Sequence, residues 1–82
     1  MAIIHLKNYP PRFQEIKSGL RTSDIRANDR DFKVGDTIIL WEGQMEGGEF
    51  VKTGDSLSRQ ITLLDTFGVS PGFINIFWKT ID

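Results

Sequence analysis

The sequence has no cysteine and a single histidine among its 82 residues. Without cysteine there can be no disulfide, thiolate metal site or cysteine nucleophile, and such a chain suits a reducing cytoplasm. The lone histidine, His5, would have to share a metal with scattered carboxylates at no recognisable spacing. We therefore expect no metal and no other cofactor.

Long hydrophobic runs are also missing from the sequence. The first apolar run, near the start of the chain, is short and is interrupted by His5 and Lys7. It is too short for the apolar region of a signal peptide and for a membrane span. The sequence thus predicts an intracellular, cytoplasmic protein with no membrane partner.

What is present is the composition of an ordinary globular domain, with 39% hydrophobic and 26% charged residues. A chain of 82 residues can bury one modest core, so we expect a single domain over residues 1–82, treated as a monomer. The formal net charge is only -1, but residues 1–33 hold seven Lys or Arg against four acids. Such a basic half can present a local positive patch to phosphates.

Hydrophobic alternation and turn residues predict many short strands and one helix. The alternation in AIIHLK, with Ile4 and Leu6 on one face, is typical of a half-buried strand. The segment PPRFQEIKSG predicts a helix of about two turns, with Pro11 in its first turn and Gly19 at its end. Further strands are predicted at RTSDIR, TIILWE, EFVK, RQITLLDTF and FINIFWKTI, with turns at ANDR, VGD, TGDS and GVSPG and a loop at GQMEGG.

Because strands outnumber helices, the predicted fold class is α+β and mainly β. Short strands with little helix to cover an open sheet favour closure into a small barrel, since closure removes exposed edges. The alternating apolar positions supply the predicted core, which consists of Ile4, Leu6, Phe13, Ile16, Ile25, Val34, Ile38, Leu40, Ile61, Leu63, Ile74, Ile76 and Trp78.

The stretch GLRTSDIRANDRDFKVGD, residues 19–36, mixes basic and acidic side chains closely. If Ile25 faces the core from a strand here, Asp24 and Arg26 face outward together, and Arg21 points away from Arg26. Exposed ion pairs of this kind contribute only about 0.2 to 1 kcal/mol each to stability. Spacing alone therefore favours a solvated surface for this stretch.

The order of the residues adds to what their spacing shows. The sequence HLK, then Pro and Phe before a short helix, then GLRTSDIR and NDRDFKVGD before an apolar strand, resembles the ASCH domain family. This PUA-like group is named for activating signal cointegrator homology, and the similarity, from about His5 to Trp78, is greatest to its small bacterial and phage domains. It implies a PUA-like β-barrel of five or six mostly antiparallel strands, with one or two short helices beside a cleft for RNA or a nucleotide-like ligand.

The family motif is Gly, any residue, Lys, two residues, Glu, any residue and Arg, which here corresponds to residues 19–26. Arg21 replaces the usual Lys, and Asp24 replaces the usual Glu. Some ASCH proteins hydrolyse the amide of N4-acetylcytidine, an activity associated with a Lys at the position of Arg21 and a Thr at that of Asp24. Because Arg stays protonated and Asp24 has no hydroxyl group, the sequence disfavours that route. Thr22 and Asp24 are the catalytic candidates that remain for an alternative function, a nucleoside amidohydrolase or ribonuclease-like hydrolase.

Binding tolerates these substitutions better, because guanidinium groups hold phosphate bidentately and stack on bases. The residues assigned to a ligand site are Arg21, Asp24, Arg26, Arg30, Lys7, His5 and Lys33. Tyr9, Phe32 and Trp41 could add aromatic stacking to single-stranded RNA. The leading hypothesis is an RNA- or nucleotide-binding module with a basic cleft around the motif. A third hypothesis is a protein-interaction module without a nucleic-acid role, marked by an exposed apolar patch.

Overall fold

The structure of the protein, a computed structural model, describes residues 1–81. Its elements are β1 (Ile3–Asn8), α1 (Pro10–Lys17), β2 (Ser23–Ala27), β3 (Thr37–Glu46), β4 (Glu49–Asp65) and β5 (Phe73–Thr80). The five strands form one mixed sheet in the order β1-β3-β4-β5-β2, in which β1 and β3 are parallel and the other pairs antiparallel. The predicted α+β, mainly β class, with five mostly antiparallel strands and one short helix, is confirmed.

The sheet is open, which corrects the predicted closed barrel. β1 and β2 are its two edges, and the described residues form no backbone ladder between them. Polar side chains span the gap instead: Arg26 Nη2 donates to Asn8 Oδ1 over 2.9 Å, and Arg30 Nη1 donates to the His5 carbonyl over 3.3 Å. The edges therefore meet through long arginine side chains, which take the place of barrel-closing backbone hydrogen bonds.

The β3–β4 hairpin is longer than the sequence predicts. Gly47 and Gly48 have φ angles of 58° and 85° and form a two-residue turn between the paired residues Glu46 and Glu49. Two consecutive positive φ angles match the twist of the flanking strands, which explains the pair of glycines. The predicted loop at GQMEGG is thus mostly strand.

The predicted turn at TGDS is also wrong, because β4 runs through it without reversing. Opposite this segment the register shifts between the Trp41–Ser56 pair and the Gly43–Lys52 pair. Extra residues on β4 are absorbed there as a bulge, and Gly54 has the positive φ, 100°, that such irregularities often need. A bulge and a turn share the same residue preferences, so local composition could not separate them.

The core lies between the inward face of the sheet and α1. The predicted core residues that are buried are Ile4, Leu6, Phe13, Ile16, Ile38, Leu40, Ile61, Ile74, Ile76 and Trp78. The helix contributes Phe13 and Ile16, three positions apart on its inward face. Gly19 follows the helix with a φ of 86° and donates its backbone N–H to the Ile16 carbonyl, so it ends α1 as predicted. In residues 1–81 no helix has the length and apolar character needed to cross a bilayer.

Strand β2 has the opposite orientation to the predicted one. Ile25 is 52% exposed, whereas Asp24 is 5% exposed. The register pairs Asp24 with Ile76 and Arg26 with Ile74, and directly paired residues share one face of a sheet. Since Ile74 and Ile76 face the core, the two charged residues of β2 face it as well.

Leu63 is the second predicted core residue that lies outside the core, with 52% exposure. A register shift between Ile61 and Leu63 places Leu64, one residue later, opposite the buried Ile76. A bulge of this kind changes which alternate residues face inward. Leu64 is accordingly packed against the core in place of Leu63.

Val34, a predicted core residue, lies outside the core, and Phe32, considered for stacking on RNA, lies within it. Val34 is 61% exposed beside the turn that precedes β3, and Phe32 is buried in the core cluster at 7% exposure. Between β2 and that turn, Asp31 has a φ of 49°, a left-handed conformation that interrupts strand alternation. The alternation of inward and outward residues in β2 therefore does not continue to Val34.

Candidate functional site

A group of polar side chains lies on the inward side of β1 and β2. We call Asn8, Arg12, Asp24 and Arg26 the inner polar cluster. Asn8 continues the buried alternation of Ile4 and Leu6 and is 3% exposed. Arg12 reaches the cluster from the first turn of α1. Three elements separated in sequence thus place charged and amide groups together.

Asp24 is the centre of the inner polar cluster. Its Oδ1 accepts from Arg12 Nη1 over 3.2 Å and its Oδ2 accepts from Arg26 Nε over 3.1 Å. The Asp24 side chain is 4% exposed, against 18% for Arg26 and 49% for Arg12. A buried carboxylate bonded to two guanidinium groups holds those groups in place, and at 4% exposure it is hardly accessible to a substrate.

Arg26 is the more buried of the two arginines in the cluster. Burial lowers the pKa of Arg26 from its ordinary value, and the carboxylate of Asp24 acts in the opposite direction. A guanidinium group keeps its charge at neutral pH despite such a shift. The side chain is fixed by Asp24 on one side and by Asn8 Oδ1 on the other. Within residues 1–81, the buried Nδ2 of Asn8 has no hydrogen-bond partner.

A groove opens beside Arg26, between β1 and the segment after β2. We call it the seam groove. It has a volume of about 200 Å³ and is lined by Leu6, Lys7, Arg26, Ala27, Asp29, Arg30 and Phe32. Three cationic side chains and one carboxylate therefore meet at one opening. The local charge is positive although the chain as a whole carries -1.

The two exposed cations of the seam groove are held differently. Arg30 donates to the His5 carbonyl, and its Nε lies 3.8 Å from Asp29 Oδ1. Lys7 Nζ lies 5.4 Å from the centre of the Phe50 ring. None of the ion pairs formed by the described residues includes Lys7. Lys7 can therefore turn toward an anion without breaking a pair with a carboxylate.

Arg21 lies apart from the seam groove. Its Nε and Nη2 donate to Glu15 Oε1 over 3.0 and 2.8 Å, on the helix side of the domain. Arg21 lines two shallow depressions with Thr22, neither of which includes Arg26. The structure thus separates Arg21 and Thr22 from Asp24 and Arg26, although all four belong to the Gly19–Arg26 motif.

The remaining predicted site residues, Lys33 and His5, do not line the seam groove. Lys33 Nζ pairs with Asp31 over 3.4 Å, and both side chains are well exposed. The side chain of His5 points away from the core and accepts from Trp41 Nε1 at Nδ1 over 2.9 Å. In the described part of the chain, no three His, Asp or Glu side chains are grouped as a metal site.

Sequence reasoning missed Asn8 and Arg12. Asn8 did carry a signal, because a polar residue at the next buried position after Ile4 and Leu6 needs a polar partner inside the fold. Glu42 gives the same signal after Ile38 and Leu40. Arg12 carried none beyond its charge, since its role depends on how α1 lies against β2.

Residues 3–76 match the family described as Domain of unknown function (DUF3850), which is most of the chain. The chain therefore belongs to the DUF3850 family. No curated protein matches the chain.

Proposed function

We propose that this member of the DUF3850 family is an ASCH-type, PUA-like module with an open sheet that binds single-stranded RNA or a nucleotide-like ligand in the seam groove. The observation that carries the proposal is the meeting of Lys7, Arg26 and Arg30 at one opening. Nothing in the proposal requires a metal or a cofactor, and the setting we propose is the cytoplasm.

The three cations suit phosphate in complementary ways. Arg26 is pre-organised by Asp24 and Asn8, so little side-chain entropy is lost when it binds. Arg30 and Lys7 are exposed and can adjust to the path of a flexible ligand. Asp29 beside Arg30 can orient that guanidinium or accept from a base amino group. The groove thus combines one fixed contact with two adaptable ones.

The size of the seam groove favours a strand over an enclosed small molecule. Pockets that enclose a ligand usually measure about 300 to 1,000 Å³. At about 200 Å³ the groove is smaller and can hold a phosphate and part of a sugar. A sugar–phosphate backbone crossing an open groove fits that volume, and its bases would lie outside it.

The hydrolase alternative receives less support from the geometry. Asp24 is buried and its carboxylate accepts from Arg12 and Arg26, so a substrate has little access to it as a general base. Arg21 is paired with Glu15, and an arginine side chain offers donors but no acceptor for a proton. Thr22 lies with Arg21, away from Asp24 and Arg26. These residues therefore fail to form a nucleophile and base within one site.

The protein-interaction alternative has one observation in its favour. Ile25, Leu63 and Phe73 are each about half exposed, and Ile25 and Phe73 line a shallow apolar depression. The hypothesis also calls for a neutral or acidic cleft, whereas the seam groove carries three cations. We therefore rank it below ligand binding through phosphate.

Fluorescence anisotropy with a labelled single-stranded RNA octamer tests the proposal. Lys7→Ala and Arg30→Ala should each weaken binding about fivefold to tenfold and lower the slope of log affinity against log salt by about 0.7. Lys79→Ala, which removes an exposed lysine outside the seam groove, is the matched control and should change neither quantity. Absence of binding at low salt by a folded sample would overturn the proposal.

A further inference from the structure

The outward face of β1, β3 and β4 carries a group of aromatic and basic side chains next to the seam groove. We call His5, Lys7, Trp41, Phe50 and Lys52 the outer platform. Trp41 is paired with Lys7 in the β1–β3 ladder, and Lys52 is paired with Gly43 two residues further along β3. Lys7 belongs both to the platform and to the groove lining, so the two surfaces are continuous.

The indole of Trp41 is held in a defined position. Its Nε1 donates to His5 Nδ1 over 2.9 Å, and the two rings are inclined by only 22° with centres 6.1 Å apart. Lys52 Nζ lies 4.1 Å from the centre of the Trp41 ring. The ring is thus fixed at its edge by a hydrogen bond and in contact at its face with a flexible cation.

Around Trp41 the charge of this face has one sign. The outward residues of β1 and of the paired segments 37–41 and 56–60 are Ile3, His5, Lys7, Thr37, Ile39, Trp41, Ser56, Ser58 and Gln60. None of them is acidic; the outward carboxylate of Asp65 lies at the far end of β4, and the inward-facing Glu42 bonds to Gln14 and Thr53. This part of the face offers cations and a half-exposed aromatic ring. Such a surface is complementary to a ligand that carries both phosphates and flat bases.

We propose that Trp41 is a stacking site for a base of single-stranded RNA whose sugar–phosphate backbone lies in the seam groove. This inference rests on the proposed function. It extends the binding site from a groove that binds phosphate to a surface that binds a strand of several nucleotides. Lys7, at the junction of the two surfaces, contacts the intervening phosphate. His5 is a positioning residue that fixes the indole plane.

Lys52 changes partner when the strand binds. An exposed cation–π contact is weaker than the stacking of a base on an aromatic ring, so the base displaces the ammonium group from the ring face. The freed Lys52 side chain is then available to a neighbouring phosphate. Trp41 supplies the stacking among the three aromatic residues considered from the sequence, because Phe32 is buried and Tyr9 lies at the start of α1.

The two tryptophans allow a direct test, since Trp78 is buried at 8% exposure and Trp41 is half-buried. We would titrate the protein with an unlabelled octauridylate at low salt and follow intrinsic fluorescence. In parallel, anisotropy of the labelled octamer and competition by uridine monophosphate would report binding in the groove. Quenching should follow the same binding curve as the anisotropy and should vanish in Trp41→Leu.

Trp41→Leu should weaken octamer binding about tenfold and leave mononucleotide binding within about twofold of wild type. Trp41→Phe keeps an aromatic ring and should retain most of the affinity, which separates stacking from loss of folding. Tyr9→Leu, at an aromatic residue with 57% exposure, is the matched control and should have no effect.

The outcomes separate the two proposals. Octamer binding that depends on Lys7 and Arg30 but is unchanged in Trp41→Leu, with no quenching, overturns the stacking site and leaves the groove in place. Absence of both octamer and mononucleotide binding overturns the groove and the stacking site together. An octamer that binds no better than the mononucleotide also contradicts the platform, because a second contact surface must favour the longer ligand.

Discussion

Arg26 Nη2 donates a 2.9 Å hydrogen bond to Asn8 Oδ1, and this bond joins the two edge strands of an otherwise open sheet. The same guanidinium group lines the seam groove. A residue that holds the edges together therefore also supplies the most rigid cation of the proposed binding site. Substitution of Arg26 alters both, which is why binding is better tested through Lys7 and Arg30.

The ion pair between Arg26 and Asp24 gives a stability prediction. Arg26→Met should lower the free energy of unfolding by about 2 to 3 kcal/mol, because it leaves the buried carboxylate with only the half-exposed Arg12. The double variant Asp24→Leu with Arg26→Met should recover most of that loss, since it removes the uncompensated charge. Urea denaturation followed by tryptophan fluorescence measures both free energies of unfolding. Equal stability of the single and double variants would contradict this account.

The orientation of β2 shows why the site was hard to predict. The strand sequence SDIRA contains one large apolar residue, Ile25, and local alternation assigns that residue to the core. Pairing with β5 turns Asp24 inward and Ile25 outward, because the register places Asp24 opposite the buried Ile76. That register is set by residues about fifty positions away, so no local pattern in β2 could reveal it.

Other features followed from local chemistry. The end of α1 at Gly19 and the inward faces of β1 and β5 were predicted because each depends on alternation or on a single positive φ angle. Asn8 stood at a buried position of β1, but its partner Arg26 lies 18 residues away on the opposite edge. A need for a polar partner can be read from sequence, whereas the identity of the partner depends on tertiary structure.

The corrected orientation of β2 makes its own prediction. Ile25→Ala should change the free energy of unfolding by no more than about 0.5 to 1 kcal/mol, because the side chain faces solvent on an edge strand. Ile76→Ala is the matched substitution at 0% exposure and should cost about 2 to 5 kcal/mol. Thermal or urea unfolding of the two variants compares them directly. A larger loss for Ile25→Ala than for Ile76→Ala would restore the orientation expected from alternation.

Gly43 has a steric requirement for glycine. A Cβ at this position would lie against the Val51 carbonyl oxygen and 2.7 Å from Cζ of Phe50. Gly43→Ala should therefore destabilise the protein by about 2 to 3 kcal/mol, since backbone of the paired strand must move. It should also disturb the neighbouring Trp41, which a shift of the tryptophan emission would report.

A glycine of the hairpin turn serves as the control for Gly43. At Gly47 no atom of residues 1–81, its chain neighbours aside, lies within 4 Å of an added Cβ, and the φ of 58° is one that asparagine adopts readily. Gly47→Asn should change the free energy of unfolding by less than about 0.5 kcal/mol. If Gly43→Ala lowered the free energy of unfolding as little as Gly47→Asn does, the bulge beside Trp41 would have to be able to relax.

Asp36 predicts a pH dependence of stability. Its Oδ1 accepts from the Ala2 backbone N–H over 2.8 Å and its Oδ2 from the Lys33 N–H over 3.0 Å. These bonds, that from Ala2 above all, lower the pKa of Asp36 below its ordinary value of 3.8. The folded state then binds the proton less readily than the unfolded state. The stabilisation is present above the ordinary value and is lost as the pH falls through the lowered pKa.

Asp36→Asn should therefore be less stable than wild type at neutral pH, and the difference should shrink as wild type becomes protonated. Urea denaturation from neutral pH down to about pH 2 measures the two curves. Asp31→Asn is the control, because the Asp31 side chain is 88% exposed and pairs with the exposed ammonium group of Lys33. The free energy of unfolding of Asp31→Asn should change with pH in the same way as that of wild type. The difference in the free energy of unfolding between wild type and Asp36→Asn could instead stay constant with pH. The charge of the carboxylate would then contribute nothing to the bonds that join the start of β1 to the turn before β3.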